Sequence, residues 1–183
     1  MTSPQTHPQQ WKPEIYDPAI PFERSALAGL RDSGKVWAVT DEIAGQLTGL
    51  MESRNPRVRE LAPRERATRL QTLVESHLAG RPIEHYGLWV YYPWSGQLVH
   101  LLGPEEYREA RLDRNRNKIT TAEQEQLTDF TVGIVGLSVG NAVALTLAME
   151  GVGGHFKLAD FDRLELGNMN RLRAATHQLD LPK

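Results

Sequence analysis

Apolar positions fall into blocks whose spacing changes along the chain from helical to extended and back. The first 20 residues lack such a block, carry Pro4, Pro8, Pro13 and Pro18, and read as a flexible tail. Pro21 suits the first turn of a short helix over 21–30. Gly34 precedes an apolar stretch over 36–39, read as a strand. Asp41 can cap a helix over 42–51 that places Ile43, Leu47 and Leu50 on one face. Pro63 opens the next helix, through about Leu78. Its spacing puts Ala67, Leu70, Leu73 and Val74 inward and Arg64, Arg66 and Arg69 outward, with Gly80 as terminator.

Period-two patterning then takes over. Apolar runs at 87–92 and 97–102 flank Pro93-Trp94-Ser95-Gly96, which predicts a β-hairpin with Gly96 available for positive φ. Trp89, Tyr91, Tyr92 and Trp94 sit on this hairpin, and alternate aromatics are expected to fill a core. One or two helical turns follow from Pro104, then a mixed basic segment at 111–118. Thr120 and Glu123 have capping-box spacing ahead of a short helix through Leu127. The last third reads as a β-branched run (Thr131, Val132, Ile134, Val135), the glycine turn Gly136-Leu137-Ser138-Val139-Gly140, an alanine-rich helix and a second apolar run ending at Asp160. Strand, tight turn, helix, strand, acid is the order of a mononucleotide-binding βαβ unit. The expected fold is therefore α/β. An α+β region spans 21–112, and a Rossmann-like unit starts at 113 and is incomplete at 183.

Composition narrows the class. A 40% hydrophobic, 24% charged chain can build a core, and a net charge of −2 gives no electrostatic footprint for nucleic acid or an anionic membrane. No stretch approaches the roughly 20 apolar residues of a membrane span, and the N-terminus has no signal-peptide core, so the cytoplasm is the expected compartment. Cysteine is absent, which removes disulfides, a thiolate zinc site and a thiol nucleophile from these residues. The six histidines show no metal-ligand spacing, and His85 and His100 are expected to be ordinary polar or core positions.

The glycine turn fits two machines. As Gly-x-Ser-x-Gly it matches a hydrolase nucleophile elbow with Ser138 as nucleophile. As a glycine-rich turn it lets backbone amides and a helix N-terminus approach phosphate, with Gly136, Ser138 and Gly140 as binding residues. It departs from Gly-x-Gly-x-x-Gly, since Ser138 replaces the middle glycine and Gly140 comes one residue early. Nucleotide binding is favoured. Too few residues follow Ser138 for a hydrolase's Asp and His. Asp160 lies 24 positions after Gly136, near the offset at which an acid reaches a ribose. Ala142, Ala144 and Ala148 also suit close helix–strand contact.

Asp160, Asp162, Glu165, Asn168, Asn170 and Arg171 crowd the segment after the second strand. There an acid can hold ribose, amides can contact base or sugar, and a guanidinium can neutralise phosphate. On these residues the chain resembles the ThiF/MoeB/HesA superfamily, the ATP-dependent activating enzymes of ubiquitin-like proteins. Asp160, Asp162, Glu165, Asn168 and Arg171 stand in register with its Asp-x-Asp-x-x-Glu-x-x-Asn-x-x-Arg pattern, and the resemblance covers roughly 114–183. It implies that Asp160 holds the ribose of ATP, that Asn168 and Arg171 lie along ribose and phosphates, and that Lys183, after Pro182, contacts phosphate. It also implies that Arg116, in the basic run before the first strand, reaches the phosphates across a homodimer. The implied reaction joins a carboxylate, of a ubiquitin-like or sulfur-carrier protein or of a small acid, to AMP. Arg171, Lys183 and Arg116 are the implied catalytic residues, and Mg²⁺ is held by an Asp outside these residues. The first 110 residues look like the extension of larger bacterial proteins in which a ThiF-like domain precedes a nitroreductase-like, FMN-binding module.

Residues 1–183 are expected to hold only part of such a site and not to catalyse the step alone. An NAD(P)-dependent oxidoreductase on the same unit, with Asp160 on the ribose, and a non-catalytic docking module on the aromatic hairpin stay open as alternatives.

Overall fold

The computed structural model describes residues 12–183, in two compact units: one ends at Arg111 and the other runs from Leu112 to Lys183. The tail reading over 1–11 lies outside the described residues.

The first unit is a four-stranded sheet with helices on it. Its strands are β1 (Glu14–Tyr16), β2 (Ala38–Asp41), β3 (Leu88–Tyr92) and β4 (Gln97–Leu101), in the order β1-β3-β4-β2. Its helices are α1 (Pro21–Asp32), α2 (Ile43–Arg54), α3 (Pro63–Leu78) and α4 (Pro104–Leu112). The β3–β4 hairpin forms as its alternation predicts, with Tyr92 opposite Gln97 and Gly96 at φ +62°. Trp89 and Tyr91, two apart on β3, are buried with Leu98 against Leu27 and Leu30 of α1. A second core gathers Ile43, Leu47, Leu50 and Met51 of α2 with Val58, Leu70, Tyr86 and Leu102. His100 is fully buried, with Nδ1 at 2.9 Å from Asp41 Oδ1, Nε2 at 2.7 Å from the Tyr86 carbonyl, and its ring stacked on Trp89.

Several local expectations shift. Glu14–Tyr16, inside the segment read as tail, is a strand paired antiparallel with β3, Ile15 opposite Val90. Three residues bracketed by Pro13 and Pro18 carry too little periodicity to announce a strand; β3 supplies the pairing. The strand expected over 36–39 forms at Ala38–Asp41, because Gly96 O accepts from Trp37 N at 2.7 Å and β2 then runs parallel to β4. Asp41 ends that strand and bonds His100; its Oδ1 also accepts from Ile43 N, the first amide of α2, at 3.5 Å, while Glu42 at the helix start makes no side-chain cap bond. Ala67 on α3 is exposed, whereas Arg66 is half-buried and paired with Glu52 at 2.6 Å. The helix from Pro104 runs nine residues rather than one or two turns.

The second unit comprises α5 (Thr121–Thr128), β5 (Thr131–Val135), α6 (Leu137–Glu150) and β6 (His155–Ala159). Both halves of the Thr120/Glu123 capping box form at α5. β5 and β6 pair in parallel, Val135 beside Ala159, with α6 as their crossover, so the α/β class with a Rossmann-like βαβ segment holds. Ala142 and Ala148 of α6 are exposed; the close approach to β5 comes instead at Gly140, where a Cβ would stand 2.6 Å from Ile134 Cγ2. Apolar side chains remain exposed on this unit, Val135 at 89% and Phe161 at 99%. Among the described residues no helix is long and apolar enough to cross a membrane.

Candidate nucleotide site

The site lies at the carboxyl ends of β5 and β6, where an open parallel sheet offers its ligand crevice. Gly136 leaves β5 at φ +86°, a conformation open to glycine, and donates its N–H to Ala159 O at 2.8 Å, which ties the two strand ends together. Gly140 is needed for a different reason, the absence of a side chain against Ile134. These are the turn and packing roles of a phosphate-binding glycine loop. Position 138 carries neither constraint, and it is there that a side chain appears.

Asp160, just past β6, faces the turn. Its Oδ2 accepts from Leu137 N, the first amide of α6, at 2.6 Å, and its Oδ1 accepts from Asp162 N at 2.8 Å. These two backbone donors, with Lys183 nearby, hold its carboxyl below the usual range. The chain then doubles back on itself. Leu164 N donates to Leu181 O and Asp180 N to Leu164 O, both at 2.9 Å, and Arg163 bridges to Pro182. Leu164, Leu172 and Asn168 are buried beneath this loop. The return brings Lys183 to Asp162 twice, through its amide to Asp162 O at 3.1 Å and through Nζ to Asp162 Oδ2 at 3.1 Å. Nζ also reaches Ser138 Oγ at 3.4 Å, and the lysine side chain is only 5% exposed.

The structure thus brings Gly136, Ser138, Gly140, Asp160, Asp162 and Lys183 together. Asn168 turns inward, its Oδ1 accepting from Glu165 N at 3.2 Å, so it shapes the loop. Arg171 is exposed and bonds locally, to Asn170 Oδ1 at 2.9 Å and Gly167 O at 3.4 Å. Arg116 pairs with Asp113 at 2.8 Å. No histidine bonds Ser138 among the described residues, so the hydrolase reading lacks the Ser–His pair it requires here. Sequence reasoning passed over Asn141, the one strongly polar residue in the body of α6 beyond Gly140. Its Oδ1 is buried without a hydrogen-bond partner one residue past the glycine turn. A lone amide in an apolar helix was the signal. No group of three or more His, Asp or Glu among the described residues is arranged to hold a metal ion.

Residues 112–183 match the family model described as the ThiF family. The chain is 48% identical over 101 residues to an uncharacterized protein of Mycobacterium tuberculosis, covering 55% of this chain and 14% of that protein. It is 47% identical over 60 residues to ubiquitin-like modifier-activating enzyme 5 of Branchiostoma floridae, covering 32% of this chain and 15% of that protein. The Gallus gallus enzyme of the same name is 44% identical over 62 residues, 33% of this chain and 15% of that protein. The match therefore spans about one seventh of these relatives' length. No solved structure is significantly similar.

Proposed function

We propose, on the match of residues 112–183 to the ThiF family model and their similarity to ubiquitin-like modifier-activating enzymes, that the glycine turn and the 160–183 loop bind ATP for the adenylylation of a carboxylate. A carboxylate oxygen attacks the α-phosphorus, the new O–P bond forms as the α–β bridging bond breaks, and pyrophosphate leaves with the electron pair. Such a displacement needs positioning and charge neutralisation. The acid is the C-terminus of a ubiquitin-like or sulfur-carrier protein, or a small carboxylic acid. Mg²⁺ enters with the nucleotide, as the companion of its phosphates.

The observation that supports this reading is the placement of Asp160 and of Lys183, itself paired with Asp162, at one turn. A carboxylate has about four acceptor sites, and Asp160 spends two on Leu137 N and Asp162 N, which leaves acceptors for ribose hydroxyls. An ammonium has three donors; Lys183 spends two on Asp162 and Ser138, which leaves one for phosphate. Arg171 and Arg116 add charge on release from their local partners, Arg116 across a homodimer.

Equilibrium titration of the protein with ATP and with NADH tests the proposal. ATP is expected to bind and NADH not, and Asp160→Ala is expected to weaken ATP roughly tenfold or more, as loss of a charge-assisted ribose contact implies. Tighter binding of NADH, or an Asp160→Ala variant that binds ATP as well as the wild type, refutes it.

A further inference from the structure

The serine that interrupts the glycine turn has no part in the turn's backbone geometry. Gly136 is fixed by its positive φ and Gly140 by the 2.6 Å approach to Ile134, while Ser138 sits in ordinary helical conformation at the second position of α6. Its side chain meets Lys183, which lies 45 positions later and is returned by the doubled-back loop. We propose that Ser138 is a positioning residue, whose hydroxyl acts with Asp162 to hold the Lys183 ammonium over the α6 N-terminus for contact with nucleotide phosphate. This deepens the ATP-binding reading above and rests on it.

The physical need is plain. A lysine has a flexible four-carbon stem and a point charge, and fixing it at the moment of binding costs rotamer entropy. Asp162 alone would not fix the head group in the right place, because its carboxylate is 56% exposed and free to carry the ammonium toward solvent. Ser138 supplies a neutral second acceptor on the helix side. The amides of Ser138 and Val139 at the start of α6 have no intrahelical acceptor, so an anion placed there meets N–H groups and the ammonium together. A hydroxyl that accepts from Lys183 keeps its own proton to donate to that anion. A glycine at position 138 would offer the amides and lose the second hold on the lysine.

The experiment compares wild type, Ser138→Ala, Ser138→Thr, Lys183→Ala and the Ser138→Ala/Lys183→Ala double variant. ATP and adenosine affinities are measured, together with the rate at which acetic anhydride labels Lys183, followed by peptide mass spectrometry without ligand. Ser138→Ala is expected to weaken ATP roughly 3- to 10-fold and adenosine not at all, to speed Lys183 labelling several-fold, and to add nothing in the Lys183→Ala background. Ser138→Thr, which keeps the hydroxyl, is expected to restore both. Equal losses for ATP and adenosine, a Ser138→Ala effect that survives without Lys183, or unchanged labelling overturns the proposal. Faster labelling in a protein whose wild type binds no ATP keeps the Ser138–Lys183 hold and overturns the nucleotide reading instead.

Discussion

Gly140→Ala tests whether α6 is clamped to β5 where the site depends on it. The added methyl would stand 2.6 Å from Ile134 Cγ2, whereas ordinary contact begins at 3.4 Å, so the gap must open by about 0.8 Å. Ile134 cannot swing aside cheaply. Its Cγ2 sits on a β-branched carbon with stiff χ1, in a strand held by Leu158 in the partner register. The helix start must lift instead, and it carries the 2.6 Å bond from Leu137 N to Asp160. Overpacking of this kind costs about 1–3 kcal/mol. Replacing a helical glycine by alanine returns about 0.8–1 kcal/mol, so the net change should be a loss of up to about 2 kcal/mol. Removing the obstacle should reverse the sign: in an Ile134→Ala background, Gly140→Ala should gain about 1 kcal/mol. Because two units can unfold separately, the assay is amide hydrogen exchange of peptides from β5 and α6 across a urea series. A Gly140→Ala protein more stable than the wild type by about 1 kcal/mol would show that helix propensity alone acts here, and that the clamp is absent.

Two other outcomes follow from the first unit. His100→Leu should destabilise the sheet by about 2–4 kcal/mol although it adds apolar surface, because it strips the buried Tyr86 carbonyl and Asp41 of their partner; urea unfolding followed by tryptophan fluorescence measures it, and a neutral effect would contradict the assignment. Glu52 is held below its ordinary value of 4.5, by Arg66 first and Arg59 second. A depressed acid adds stability that is present above the unfolded value and lost as the pH falls through the folded one. Glu52→Gln should therefore flatten the loss of stability below about pH 4.5 and matter less at more acid pH. Parallel pH–stability curves for wild type and variant would refute this.

What the sequence determined by itself was mostly what rests on contacts within a few residues. The hairpin, α3, the Thr120 capping box and the strand–turn–helix–strand order of 131–159 follow from side-chain period and turn chemistry, which are local properties. Asp160 was legible for the same reason, since its offset from Gly136 is set by the length of one crossover. Tertiary structure decided the rest. Glu14–Tyr16 is a strand only because β3 offers a free edge some 75 residues away, and β2 takes its register from Gly96 O rather than from its own apolar run. Asn168 turns inward and Arg171 outward because Leu164 and Leu172 anchor the loop between them. Lys183 reaches Ser138 only because residues 163–164 pair with 180–182 and fold the chain back. A period tells each side chain which face of its own element it occupies; it cannot say which distant edge, carbonyl or hydroxyl will be waiting there.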